Sequence, residues 1–237
     1  MKKELLWALR DYSFAQAWLE YGEYAEGILR GCDARVEGNR IVVSPGIVKY
    51  GGFLYMMGEE ESIEYGVCDE FTTVRMCFHT EQVSQDYVRY AMELVSGGDE
   101  FEVCRYKLQK GAALRDKHID FEDLNTEYNT LNFVHAAWGG IGGRTMSPLV
   151  TGCFAREILK SNDSRPEDIQ FAYLCLDRAG AVPIEILRDY MARRGGKIGE
   201  KFSGEEVFRE MCGVISRLNG TAKRNRQDRG RRMMIVE

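Results

Sequence analysis

Residue patterns that carry out chemistry are scarce in this chain. Its three histidines, His79, His118 and His135, never make H-x-x-x-H spacing, and H-E-x-x-H is absent. A metal site would have to be assembled from distant residues, and structural histidines are the expectation. The seven cysteines, at 32, 68, 77, 104, 153, 175 and 212, contain no C-x-x-C pair. Several sit among apolar neighbours, as Cys77 and Cys175 do, which points to reduced, buried thiols in a protein made in a cytoplasm. No G-x-S-x-G and no G-x-x-x-x-G-K-[ST] occurs, so neither a nucleophile elbow nor a phosphate-cradling loop is written. No apolar run approaches the roughly 18–20 residues of a membrane span, and no signal-peptide core follows the charged start. No membrane contact and no cofactor are expected.

The 237 residues carry a net charge of −5, which argues against a generally nucleic-acid-binding surface. One local exception begins at Arg217, from which seven basic residues face two acids, a net of +5. Lys223, Arg224, Arg226, Arg229, Arg231 and Arg232 are therefore candidates for phosphate contact in an alternative, DNA-binding reading. The helices expected over 183–194 and 203–218 would form its helix-turn-helix, although Glu205 and Glu206 would repel a DNA backbone.

The pattern changes along the chain. Residues 1–30 read as helical, with Ser13 and Gln16 spaced as a capping box and Phe14, Ala17, Trp18 and Tyr21 on one face. Residues 34–114 read as strands: Arg40–Val43, Ile47–Tyr50, Phe53–Met57, Phe71–His79, Gln85–Val95 and Phe101–Gln109. Pro45-Gly46 and Gly51-Gly52 punctuate a compact antiparallel ribbon, and Gly97-Gly98-Asp99 suits a hairpin loop. In Gln85–Val95 the residues Val88, Tyr90, Met92 and Leu94 are expected to face the core, with a helix as the alternative.

Gly139, Gly140, Gly142 and Gly143 mark a hinge, with anion binding as the alternative. Helices follow. Ser147-Pro148 opens one through Leu159, and Ser164 to Glu167 caps a second with Ile169, Ala172, Tyr173 and Leu176 inward. Pro183 opens a third with Ile186, Leu187, Tyr190 and Met191 inward. Ser203 to Glu206 caps a fourth, whose face is Val207, Met211, Val214, Ile215 and Leu218. After Gly220 a mobile basic tail is expected, ending in the apolar Met233–Val236. The fold class is α+β: a β-rich unit with a leading helix (1–125), a glycine-rich linker (126–148), a helical unit (149–219) and the tail (220–237).

The acids Glu59, Glu60, Glu61, Glu122 and Asp123 read as solvated charge. An enzyme with a site near the glycine-rich segment, lined by His135, Glu122 and Asp123, is the remaining catalytic alternative. Tyr50, Phe53, Tyr55, Met56 and Met57 form a dense apolar cluster in a short ribbon. They are candidates for the core or for a subunit interface.

Ile41–Gly46 as strand and V-S-P-G turn, Tyr50–Tyr55 around a G-G turn, and Arg144–Pro148 leading into a helix follow one another in a telling order. With the helical lead of 12–31 and the long strands of 71–109, residues 12–160 resemble the attachment region of phage tail appendage proteins (baseplate, upper-fibre and receptor-binding proteins). The C-terminal end departs from that pattern, with no jelly roll, collagen-like repeat or triple-stranded fibre. The resemblance implies a non-enzymatic baseplate or adaptor piece, from a prophage, that forms homo-oligomers and contacts other tail proteins. It implies synthesis in the bacterial host cytoplasm and a final place in the virion tail.

Overall fold

The computed structural model describes residues 3–84, 87–98, 100–177 and 180–232. The fold is mixed α and β, with five helices and three sheets among these residues. Helix α1 (Lys3–Tyr21) leads. The first sheet holds β1 (Gly27–Gly31), β4 (Gly46–Tyr50), β5 (Phe53–Met57), β10 (Trp138–Gly140) and β11 (Gly143–Thr145), in the order β11-β10-β1-β4-β5. The second holds β2 (Ala34–Glu37), β3 (Arg40–Val43) and β6 (Glu61–Glu64), in the order β2-β3-β6. The third holds β7 (Thr72–Ser84), β8 (Tyr87–Ser96) and β9 (Glu102–Tyr106), in the order β8-β7-β9. Helices α2 (Pro148–Lys160), α3 (Pro166–Asp177), α4 (Ile184–Arg193) and α5 (Gly204–Arg232) follow.

The Pro45-Gly46 step is a corner between sheets, where the sequence suggests a turn inside one ribbon. Residues 27–37 and 40–50 form one long antiparallel pair that closes at Gly38-Asn39 and bends in its middle, so β1 and β4 lie in one sheet and β2 and β3 in the next. Backbone bonds continue through the bend, from Cys32 N to Pro45 O (3.2 Å) and from Ser44 N to Asp33 O (3.0 Å). The bend needs two strands to touch. A Cβ on Gly31 would lie 2.1 Å from Pro45 O, and one on Gly46 would lie 2.3 Å from Cys32 Sγ, so only glycine fits at either position. The expected ribbon survives as β4–β5, closed by Gly51 and Gly52 with φ of 57° and 77°, the two left-handed positions of a hairpin turn.

Three further expectations change. The leading helix ends at Tyr21, Ser13 and Gln16 lie in its interior, and residues 27–31 are a strand with Ile28 and Leu29 buried. Gly97-Gly98 joins β8 to β9 but closes no hairpin, because both strands flank β7: Val74 pairs with Ser96 on one side and Cys104 on the other. The glycine-rich segment is a tight hairpin, β10–β11, rather than a hinge. Trp138 lies parallel to Ile28, and a Cβ on Gly27 would lie 2.2 Å from Gly139 N. The glycines there serve close strand packing.

The four C-terminal helices sit where caps and stripes place them, with one rotation. In α3 the buried positions are Asp168, Phe171, Ala172 and Cys175, while Tyr173 and Leu176 are exposed. A buried acid sets this face. Asp168 Oδ2 accepts the Arg165 N–H (2.8 Å), and its Oδ1 accepts the Tyr190 hydroxyl (2.9 Å). Asp168 thus performs the capping expected of Glu167. In α4, Ile184 replaces Ile186 on the inward face. Helix α5 runs through Gly220 to Arg232, past the expected stop. The buried apolar residues, from Ile28 to Leu218, form one cluster.

Candidate assembly surface

The hairpin β4–β5 divides its side chains by strand alternation. Tyr50, Tyr55 and Met57 turn toward the core. Tyr50 stacks on Phe78 with ring centroids 4.3 Å apart, and Tyr55 lies 4.8 Å from the same ring. Three of the five interface candidates are therefore core or core-facing residues. Phe53, at the hairpin end, is 50% exposed and stacks on Tyr90 of β8 at 4.8 Å. Met56, on the opposite face, is 75% exposed. Tyr90, expected inward, is also exposed, with its ring against Phe53 and 5.8 Å from Tyr55. The part of the 85–95 run before Tyr87 lies outside the described residues.

Lys49 ties the end of helix α1 to the body. Lys49, in β4, is almost fully buried, and its ammonium donates to Gly22 O and Tyr24 O, both at 2.8 Å. It also lies 5.2 Å from the centre of the Trp18 ring. The C-terminal end of a helix leaves carbonyls unpaired and carries partial negative charge, and a lysine there satisfies both. Beyond this root α1 exposes Trp7, Tyr12, Phe14, Trp18 and Leu19. Strand alternation places Lys49 and Met56 on the same face of the β4–β5 hairpin. The sequence reading missed Lys49. Its signal was a lone charge between Val48 and Tyr50 in an apolar strand.

The polar groups weighed for chemistry are engaged in holding loops. Asp123 accepts both ends of the Arg115 guanidinium (2.6 and 2.6 Å), the Ile119 N–H (2.8 Å) and the Thr126 hydroxyl (2.8 Å). The Arg115 bond above all holds its carboxyl well below the usual carboxylate range. His118 Nε2 lies 2.9 Å from Leu131 O, and His79 lies 3.3 Å from Glu81. Burial, with a smaller push from Arg105, moves His135 below its ordinary value. The charges that act on His135 are Arg105, Glu102 and Glu205, while the Asp123 carboxylate is engaged by Arg115. The Thr145 hydroxyl donates to Val182 O (2.6 Å) inside the core and takes no part in an anion loop.

Tyr190 and Arg194 converge on the fully buried Asp168, with Arg194 Nε 3.2 Å from Oδ1. This pair ties α3 to the end of α4, and the sequence reading did not find it. The cysteines form no disulfide. Burial pushes the Cys32 thiol up to about 12 and Cys212 up to about 11, which leaves both unreactive at neutral pH. Among the described residues no group of three or more His, Cys, Asp and Glu could hold a metal ion, and no helix is long and apolar enough to cross a membrane.

The six basic candidates from Lys223 to Arg232 lie on the last turns of α5; their side chains, and Met233–Val236, are outside the described residues. The first half of α5 buries Val207, Phe208, Met211, Val214 and Leu218, so that face is not available to a groove. In comparison with known proteins, no family model, curated protein or solved structure matches this chain.

Proposed function

We propose that the chain is a non-enzymatic structural subunit of a phage or prophage tail, a baseplate or adaptor piece. It works by homo-oligomeric assembly and by contact with other tail proteins, and its final place is the virion. One observation supports assembly above the others: large apolar side chains face outward from supports that are rigid from behind. Met56 projects from the outer face of a strand whose Tyr55 and Met57 are anchored in the core, and Phe53 is half-exposed at the hairpin end. Exposed aromatic and methionine side chains on a fixed frame suit the desolvated centre of an interface. The tail assignment rests on the order of motifs between residues 12 and 160. Its mechanism is geometric, one surface set against the tail and another against the next component.

Light scattering of the full chain over a wide concentration range tests assembly. Masses at multiples of the monomer are expected, and a monomer at every concentration overturns the reading. The genes beside this one test the tail assignment: tail and lysis genes are expected, and a biosynthetic operon overturns it. Salt-dependent retention on DNA, lost on truncation after Gly220, would transfer the chain to the DNA-binding class. Turnover of a small molecule, abolished by one polar substitution, would end the non-enzymatic reading.

A further inference from the structure

We infer that the corner where α3 begins and α4 ends is a binding site for a small organic phosphate. A cavity among Arg165, Arg193 and Arg194 takes the phosphoryl group, and the adjoining apolar groove takes the body that carries it. The site lies within the helices and does not rest on the assembly reading.

Arg194 is the residue that points to a ligand. Its side chain is only 9% exposed, and its Nε is sealed from water with no acceptor in hydrogen-bond geometry. Asp168 lies 3.2 Å away, but its two oxygens already accept the Tyr190 hydroxyl (2.9 Å) and the Arg165 N–H (2.8 Å). No group among the described residues accepts from Nη1 or Nη2. An arginine present only to neutralise Asp168 would turn its fork to that carboxylate. Nor is the side chain needed to end α4. The carbonyls of Tyr190, Met191 and Ala192 accept the N–H groups of Arg194, Gly195 and Gly196, and Arg194 O accepts from Arg217. A guanidinium this buried, with donors to spare, needs an acceptor from outside the fold.

The space beside it fits a phosphate. Arg194 lines a cavity of about 90 Å³ together with Arg165, Glu167, Tyr190 and Arg193. One water needs roughly 10–15 Å³ of such space, so the five heavy atoms of a phosphate group have room. Arg165 is exposed and its guanidinium meets no acceptor among the described residues. Arg193 bonds Asp189 through Nε (2.7 Å), which leaves its terminal nitrogens for another acceptor. A planar carboxylate is filled by one guanidinium fork, whereas a tetrahedral oxyanion can use donors from several sides. The start of α3 adds a dipole that favours negative charge.

Three carboxylates temper the site. Asp168 and Asp189 are already bonded, to Tyr190 and the Arg165 N–H and to Arg193. Glu167 makes no hydrogen bond among the described residues, and Arg193 feels its charge. Three arginines and three acids sum to zero, so directed hydrogen bonds rather than net charge supply the affinity, and Glu167 opposes the ligand. The cavity shares Glu167, Tyr190 and Arg193 with a groove of about 330 Å³ whose walls include Phe171, Leu174 and Ile186. Inorganic phosphate leaves that apolar wall wet, and an apolar body joined to the phosphate covers it.

Calorimetric titration of the full chain with phenyl phosphate and with inorganic phosphate, in chloride buffer of constant ionic strength, tests the site. Phenyl phosphate should bind at one site, about tenfold tighter than inorganic phosphate because its ring leaves water. Arg165→Gln should weaken both ligands about tenfold by removing charged hydrogen bonds, with the circular dichroism unchanged because that side chain supports nothing else. Glu167→Gln should tighten both. Ile186→Ser should weaken phenyl phosphate alone. Arg194→Lys keeps the charge beside Asp168 but loses the fork, and should weaken both ligands in a chain that still folds. Absence of binding for both ligands at millimolar concentration overturns the inference, as does binding that Arg165→Gln and Glu167→Gln leave unchanged. Equal affinity for the two ligands overturns the organic body and leaves free phosphate as the ligand.

Discussion

Single residues decide whether loops in this protein hold. Asp123 takes four hydrogen bonds, and an asparagine there would turn an N–H₂ toward donors. Asp123→Asn should cost about 2 kcal/mol in urea denaturation, below the value for a fully buried pair because Arg115 is partly exposed. The native carboxyl sits below its unfolded value, so its contribution is full above about pH 4 and is lost as pH falls through the lower native value. His135 adds a second window. Its folded value is also lowered, so stability should begin to fall below about pH 6.5, and His135→Gln should flatten that limb alone. Gly204 sets two effects against each other. Alanine favours helix by up to about 1 kcal/mol over glycine, yet a Cβ at 204 would lie 1.9 Å from Val134 O. Overlap with backbone that close must win, so Gly204→Ala should lower the thermal midpoint where propensity alone would raise it.

Elements were legible where their signals are local. Ser147, Pro148, Pro183 and Ser203 open helices in the structure as in the sequence, because a cap and an apolar stripe lie within one or two turns. Strand partners were not legible. Pro45-Gly46 and Gly97-Gly98 look like hairpin turns, but pairing depends on residues far away, and each step leads to a strand that is not the neighbour. The glycines of 139–143 read as a hinge because nothing local shows that Gly27 lies against them. The candidate surface was half legible for the same reason. Met56 and Tyr55 are adjacent, and only the fold determines which faces out. Lys49 carries a prediction at this scale: its ammonium is the link from β4 to the end of α1. Lys49→Met should cost about 1–3 kcal/mol for the charged hydrogen bonds and release α1. Hydrogen exchange should speed up in residues 12–24 and stay unchanged in α2 and α3. Equal acceleration everywhere would mean that Lys49 supports the sheet rather than the helix.

For the whole molecule, sequence composition suggests two units joined by a linker over 126–148, whereas the contacts describe one core. The parallel match of Ile28 with Trp138 ties the start of the chain to its middle. Arg105 and Asn132 exchange backbone hydrogen bonds at 3.0 and 2.8 Å, and Ala137 N donates to Glu102 O at 2.7 Å. Phe121, in the region expected to be β-rich (1–125), stacks on Phe208 of α5 at 4.8 Å and lies 5.6 Å from Phe154 of α2, so that region packs directly into the helices. A core shared this way leaves no plane along which the sheets and helices could separate without exposing apolar surface on both sides. Unfolding in urea should therefore be a single transition. Trp138 is the buried tryptophan of the sheet, and circular dichroism at the helical band follows mainly α2–α5, so the two probes weight different parts of the chain. Their midpoints should coincide. Phe154→Ala, in the helices, should cost about 3–5 kcal/mol and shift both midpoints together. Were the sheets an independent unit, that substitution would move the helical signal and leave the tryptophan curve in place.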